Sequence, residues 1–221
     1  VIKKEKHQKS LLGRLQRTPH WKKEEFSEIE YEPTTVKELL TEMKDISELI
    51  IDLAYSAILF NSTEIAEEVK YLEVRMDKLN YDIRIMAMMA ARTKEDAEQL
   101  AGILQIAQAA EKISNTAGDI ILLMRNKPKD LLPRILKKAD EKLFRIEVSD
   151  QSRACNNSIG SLNIESETGM RIIAIRRKNC WIYNPQSNNT IQSKDILIVR
   201  GTDEGYHELR NFLLGKQEVL D

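Results

Sequence analysis

The 221-residue sequence predicts two structural classes in succession, an antiparallel α-helical bundle and then a small α+β domain. Three observations carry that expectation. Aromatic residues make up only 5% of the chain, with 8 Gly and 5 Pro, while Leu, Ile, Met, Ala, Glu and Lys abound, which suits helices and argues against an all-β fold. Apolar residues recur at helical spacing from about residue 34 to residue 126. Beyond Lys142 the period shortens to two, or to β-branched runs parted by Gly, Asn and Pro. A chain of this length can hold one large domain or two modest ones, each able to bury its own core, and the change of pattern favours two.

Residues 1–33 come first and show no helical period; Lys and Arg crowd their first two-thirds and Glu the remainder. They read as a flexible tail, or as a docking arm anchored by Leu11, Leu12, Leu15 and Trp21. After Pro33, Thr35 and Glu38 have the spacing of a capping box, and Val36, Leu40, Met43, Ile46, Ile50, Leu53, Ala57 and Phe60 trace one helical stripe. Asn61 with Glu64 opens a second helix, striped by Ile65, Val69, Leu72, Met76, Leu79, Ile83 and Met86. The third begins after Thr93 and carries Ile103, Ile106, Ala110, Ile113, Ala117, Ile120 and Met124. Near-heptad stripes on three long helices with short connections predict an antiparallel bundle over residues 34–126. The apolar arc of the second helix widens at Met86, Met88 and Met89, which predicts a homodimer.

Asn126, Lys127 and Pro128 end the third helix, and the Lys-rich amphipathic stretch that follows predicts a connecting helix over residues 127–142. The α+β domain then spans residues 143–221. Strands are expected at residues 144–148, 171–176, 181–183 and 196–199, with a short helix over 157–164. A closing helix from Asp203 to about Leu214 turns Tyr206, Leu209, Phe212 and Leu213 inward.

The motifs of this second half run in a telling order. They are Ser158-Ile159-Gly160-Ser161-Leu162, then the run Gly169 to Arg177, then Asn184-Pro185, then the run Asp195 to Thr202. As a series they closely resemble the TrkA C-terminal domain, also called the RCK C-terminal domain, over about residues 140–215. The resemblance implies a regulatory domain of potassium and other cation transporters or channels that dimerises and, in some members, binds a small ligand. That family often places a nucleotide-binding Rossmann domain before this module. No Gly-x-Gly-x-x-Gly occurs in this chain, so no NAD or ATP site is expected.

The helical part is similar to one three-helix repeat of the PhoU family over about residues 34–126. Glu73-x-x-x-Asp77 matches that family's acidic metal motif, and Glu111-x-x-x-Asn115 matches it in part, Asn standing where Asp is expected. A spacing of four puts both side chains on one helix face, where carboxylates of neighbouring helices can hold a divalent metal. Such pairs also arise as solvated faces in a chain with 31% charged residues.

Other constellations bear on chemistry. Arg176 and Arg177 end a strand and can receive an anion or a nucleotide phosphate, or can be an ordinary charged strand end. Asn156, Asn157 and Ser158 precede a short helix, where they can present donors to an anion or cap the helix. The histidines, His7, His20 and His207, stand in no nucleophile motif, and Cys155 and Cys180 form no CxxC pair, so neither an enzyme, a disulfide framework nor a zinc site is expected. With 34 basic and 35 acidic residues the formal net charge is -1, the basic residues of the helices are interleaved with acids, and no helix-turn-helix or RNA-binding signature appears, so nucleic acid is set aside as a partner, residues 1–33 being the one stretch that could bind it. No apolar run approaches the roughly 20 residues of a membrane span, and the start of the chain has no signal-peptide core. The combined expectation is a homodimeric cytoplasmic regulator of cation transport, potassium foremost. It senses a small-molecule effector of nucleotide type and acts on a membrane cation transporter or channel. The alternative is a metal-binding regulator of phosphate transport or signalling built on the bundle.

Overall fold

A computed structural model describes residues 35–126 and 140–220. The expected tail and residues 127–139 of the expected connecting helix lie outside the described residues. The described residues fall into two compact units.

The first unit is three helices, α1 (Val36–Leu59), α2 (Thr63–Ala90) and α3 (Lys94–Asn126), each packed on the other two. Side chains close their starts. The Glu38 amide donates to Thr35 Oγ1 at 3.2 Å, and the Thr35 amide donates to Glu38 Oε2 at 2.9 Å, the capping box that the spacing predicts. Thr93 and Asp96 repeat the exchange at the start of α3, both bonds measuring 3.1 Å. The cap of α2 is Ser62 rather than Asn61: its hydroxyl accepts from the Ile65 amide at 3.3 Å. Asn61 instead takes the left-handed turn between the helices, with φ 48°, a conformation Asn tolerates better than most residues.

The core lies along Met43, Ile46, Ile50 and Leu53 of α1 and Leu72, Met76, Leu79 and Ile83 of α2. On α3 the inward face differs from the expected stripe. Ile106 and Ile113 are exposed, and Ala107, Ala110, Ser114, Ala117 and Ile121 turn inward. Small side chains let the α3 backbone come close to its neighbours, and that close approach outweighs burying the bulkier isoleucines. Among the described residues no helix is long and apolar enough to cross a membrane.

The second unit is a four-stranded antiparallel sheet with short helices. Its elements are β1 (Lys142–Glu147), α4 (Ile159–Leu162), α5 (Ile164–Thr168), β2 (Arg171–Arg177), β3 (Cys180–Tyr183), β4 (Ile196–Gly201) and α6 (Asp203–Leu213). Lys142, expected to end the connecting helix, thus opens β1. The order across the sheet is β1-β4-β2-β3. Phe144 pairs with Val199, and Ile175 pairs with Leu197 on one side and Ile182 on the other. The register of β2 against β4 slips between Ile172 and Ala174, a bulge at Ile173. One face of the sheet packs Ile146, Ile172, Ile175, Leu197 and Val199 against Ile164 of α5 and Leu209, Phe212 and Leu213 of α6. The expected single helix over 157–164 is two short ones, broken where Asn163 turns left-handed with φ 48°.

The close of α6 on α5 has a steric condition. A Cβ at Gly205 would stand 2.0 Å from the Thr168 carbonyl oxygen, so only glycine fits in the first turn of α6. Phe144 of β1 and Tyr206 of α6 stack with ring centroids 4.1 Å apart, holding the helix over the edge of the sheet.

Candidate functional site

Beside the start of β2 the second unit opens into a cavity of about 540 Å³, within the usual range for small-ligand sites. Its walls come from three short segments: α4, Asn163 and α5; the run Met170 to Ile172; and the loop Asn184 to Ser187. Local hydrogen bonds bring them together. The Asn184 amide donates to the Ile173 carbonyl at 3.0 Å, carrying the chain off β3 and past the bulge. The Gly160 amide donates to the Ser187 carbonyl at 2.8 Å, closing that loop on α4. Within the loop the Gln186 amide donates to Asn189 Oδ1 at 2.6 Å.

The lining divides by chemistry. Ile164, Met170 and Ile172 are buried and supply apolar surface, joined by Ile159 and Pro185. Asn163, Asn184 and Gln186 bring amides, and Glu165 a carboxylate. Arg171 is the cation of the site. It is exposed, and no ion pair among the described residues holds its guanidinium. Its cross-strand neighbour, Arg200, pairs instead with Glu141 at 3.4 Å. An apolar wall, several amides and one open guanidinium suit a flat heterocycle that carries an anionic group.

None of the five expected ligand residues lines this cavity. Ser158 caps α4, its hydroxyl accepting from the Ser161 amide at 3.1 Å, and Asn157 Nδ2 donates to the Arg153 carbonyl at 2.7 Å. Asn156 turns left-handed with φ 64°, and its amide donates to the Ile191 carbonyl at 2.7 Å. Arg177 lays its fork on Asp195, with Nε to Oδ1 at 2.9 Å and Nη2 to Oδ2 at 2.7 Å, and also donates to the Thr190 carbonyl at 2.7 Å. Asp195 is fully buried, so this guanidinium has a structural partner in place of an anionic ligand. Arg176 is half-buried in the sheet, opposite Trp181. Thr190 does join the two groups, since it bridges to Ser158 and receives Arg177. The lining residues Asn184 and Pro185 stand in the motif series of the sequence, and Arg171 stands in the run from Gly169; their meeting across the bulge is not written in spacing.

In the bundle, the expected metal ligands are not gathered. Glu73 and Asp77 share one face of α2, and burial, followed by the charges of Asp77 and of Asp119 on α3, raises the Glu73 carboxyl above its ordinary value. Glu73 lies against the α3 backbone, where a Cβ at Gly118 would stand 2.6 Å from its Oε2. Glu111 is drawn elsewhere, with its carboxylate 3.8 Å from Arg84. Asn115 brings no charge. Among the described residues no three His, Cys, Asp or Glu side chains are placed to hold a metal, so the donor set does not fit the ion that the helical resemblance implies.

The comparisons with known proteins follow these two units. The TrkA-C domain matches residues 143–214, and the PhoU domain matches residues 40–124. No curated protein matches the chain. Among solved structures, the RCK_C domain dimer of S. agalactiae BusR in complex with c-di-AMP is 26% identical, covers 35% of this chain and 96% of that one, and gives a TM-score of 0.33. The RCK C domain of the potassium transport protein KtrA, in complex with cyclic diadenosine monophosphate, is 24% identical over 35% of this chain and 87% of that one, at a TM-score of 0.31. S. agalactiae BusR in complex with its busAB-promotor DNA is 18% identical over 83% of this chain and 98% of that one, at 0.33. That DNA complex corrects the sequence reading, which set nucleic acid aside. A net charge near zero limits the sum of the charges and not their distribution, so the exclusion is withdrawn. Two family models thus meet in this chain, the PhoU domain over residues 40–124 and the TrkA-C domain over residues 143–214.

Proposed function

We propose that this protein is a ligand-responsive regulator of cation transport, potassium foremost, and not a catalyst. In this reading its TrkA-C domain, residues 143–221, receives a nucleotide-type effector in the cavity beside β2, and the bundle over residues 34–126 relays the bound state from a cytoplasmic position. The observation that carries the reading is the cavity itself, inside the matched domain, with apolar walls from Ile164, Met170 and Ile172 and a guanidinium from Arg171. The hydrocarbon wall suits the face of a base, the amides its edge, and Arg171 a phosphate. Binding there favours whichever arrangement of the chain holds the three cavity segments closest, and the regulatory output is that bias.

Calorimetric titration of the full chain with cyclic dinucleotides tests this, c-di-AMP being the first probe because BusR and KtrA domains bind it. Saturation at about 100 times the dissociation constant adds about 2.7 kcal/mol of stability, readable as a raised melting midpoint. Arg171→Gln is expected to weaken binding by roughly ten- to a hundred-fold, the worth of a charge-assisted hydrogen bond, while leaving the midpoint without ligand unchanged. Equal affinity in wild type and R171Q would remove the cavity from the account.

A further inference from the structure

A second apolar stripe runs along α2 on the side away from the bundle core. Tyr71, Val74, Tyr81, Ile85 and Met88 follow one another at the alternating three- and four-residue steps of a heptad seam, with Lys78 at the one polar position. Val74, Tyr81 and Met88 are 66%, 65% and 66% exposed, although Leu72, Met76, Leu79 and Ile83 on the opposite side are buried. A continuous seam of large apolar side chains in water calls for a covering helix.

We infer that the occupant is α2 of a second copy of this chain, laid antiparallel. The flanking charges select both the partner and its direction. On the α3 side of the seam stand Asp77 and Arg84; on the α1 side stand Arg75, which is tied to Glu42, and Asp82. When two copies of α2 pair antiparallel, each flank meets the same flank of its mate. The register that brings Tyr71 opposite the partner's Met88, and Val74 opposite the partner's Ile85, then sets Asp77 beside the partner's Arg84 and Arg75 beside the partner's Asp82. Each pairing occurs twice by symmetry. Lys78 falls on the ring of the partner's Tyr81, a cation–π contact that makes the polar seam position an asset. A parallel pairing would put Lys78 against the partner's Lys78 at the centre of the seam. This surface belongs to the bundle and the cavity to the second unit, and pairing of α2 requires no effector.

Mixed cross-linking of the full chain, with C155S and C180S as background, reads both contact and direction. One preparation carries Tyr71→Cys, and a second, distinguished by a size tag, carries Met88→Cys. The antiparallel seam places residue 71 opposite residue 88, whereas like residues lie roughly 25 Å apart at the helical rise of about 1.5 Å per residue. A disulfide is expected between the two preparations and not within either one. Asp77→Arg is expected to cut the cross-linked yield several-fold, and D77R with R84D to restore it. Cross-linking within a single preparation, or none in the mixture, overturns the inference, as does a mixed yield that D77R leaves untouched.

Discussion

Arg177 and Asp195 show how much one side-chain pair can settle. The guanidinium reaches across 18 residues of sequence to a fully buried carboxylate and takes the Thr190 carbonyl as well, so β2 and the loop before β4 share one anchor. Arg177→Met leaves Asp195 buried without its cation and should cost about 3 kcal/mol in a denaturant titration. The same residues show where a sequence stops being legible. Arg176 and Arg177 look like an anion receiver at a strand end, and nothing in their spacing announces a buried acid so much later in the chain. Glu73 bears on pH. Its folded carboxyl sits above its ordinary value, first through burial and then through Asp77 and Asp119. Folding therefore favours its protonated form, and its contribution to stability is full below the ordinary carboxylate range and lost as pH climbs through the raised value. Glu73→Gln should raise the melting midpoint at pH 7 and leave it unchanged at about pH 3, where both states are already protonated.

Among the elements, the first helix start was legible because a cap is written within four residues: Thr35 with Glu38 forms as the spacing predicts, whereas Ser62 and not Asn61 caps α2. The inward face of α3 was not. Ile106 and Ile113 repeat at a seven-residue period, but Ala107 and Ser114 repeat at the same period one position on, and periodicity cannot choose between two stripes. Tertiary closeness chooses. The bulge in β2 was equally invisible, yet it lets one strand line the cavity at Ile172 and pass its Ile173 carbonyl to Asn184. Gly205 gives this scale its prediction. Alanine ordinarily stabilises a helix relative to glycine by roughly 0.5–1 kcal/mol. Here the new methyl would meet the Thr168 carbonyl, and G205A should instead lose about 2–3 kcal/mol, seen as a lower urea midpoint at unchanged slope.

For the molecule as a whole, the order of domains was legible because each is announced by a pattern tens of residues long. Helical stripes fill residues 40–124, and a series of short motifs fills residues 143–214, where the family matches fall. Partners were less so, since they depend on where charge and apolar surface lie after folding and not on their totals. The small-residue face of α3 carries one last consequence. A helix seated through Ala107, Ala110, Ser114 and Ala117 is held by the nearness of its backbone, with few side-chain knobs to lock it in place. A bulkier residue at any of these positions would therefore have to push α3 away from both neighbours at once.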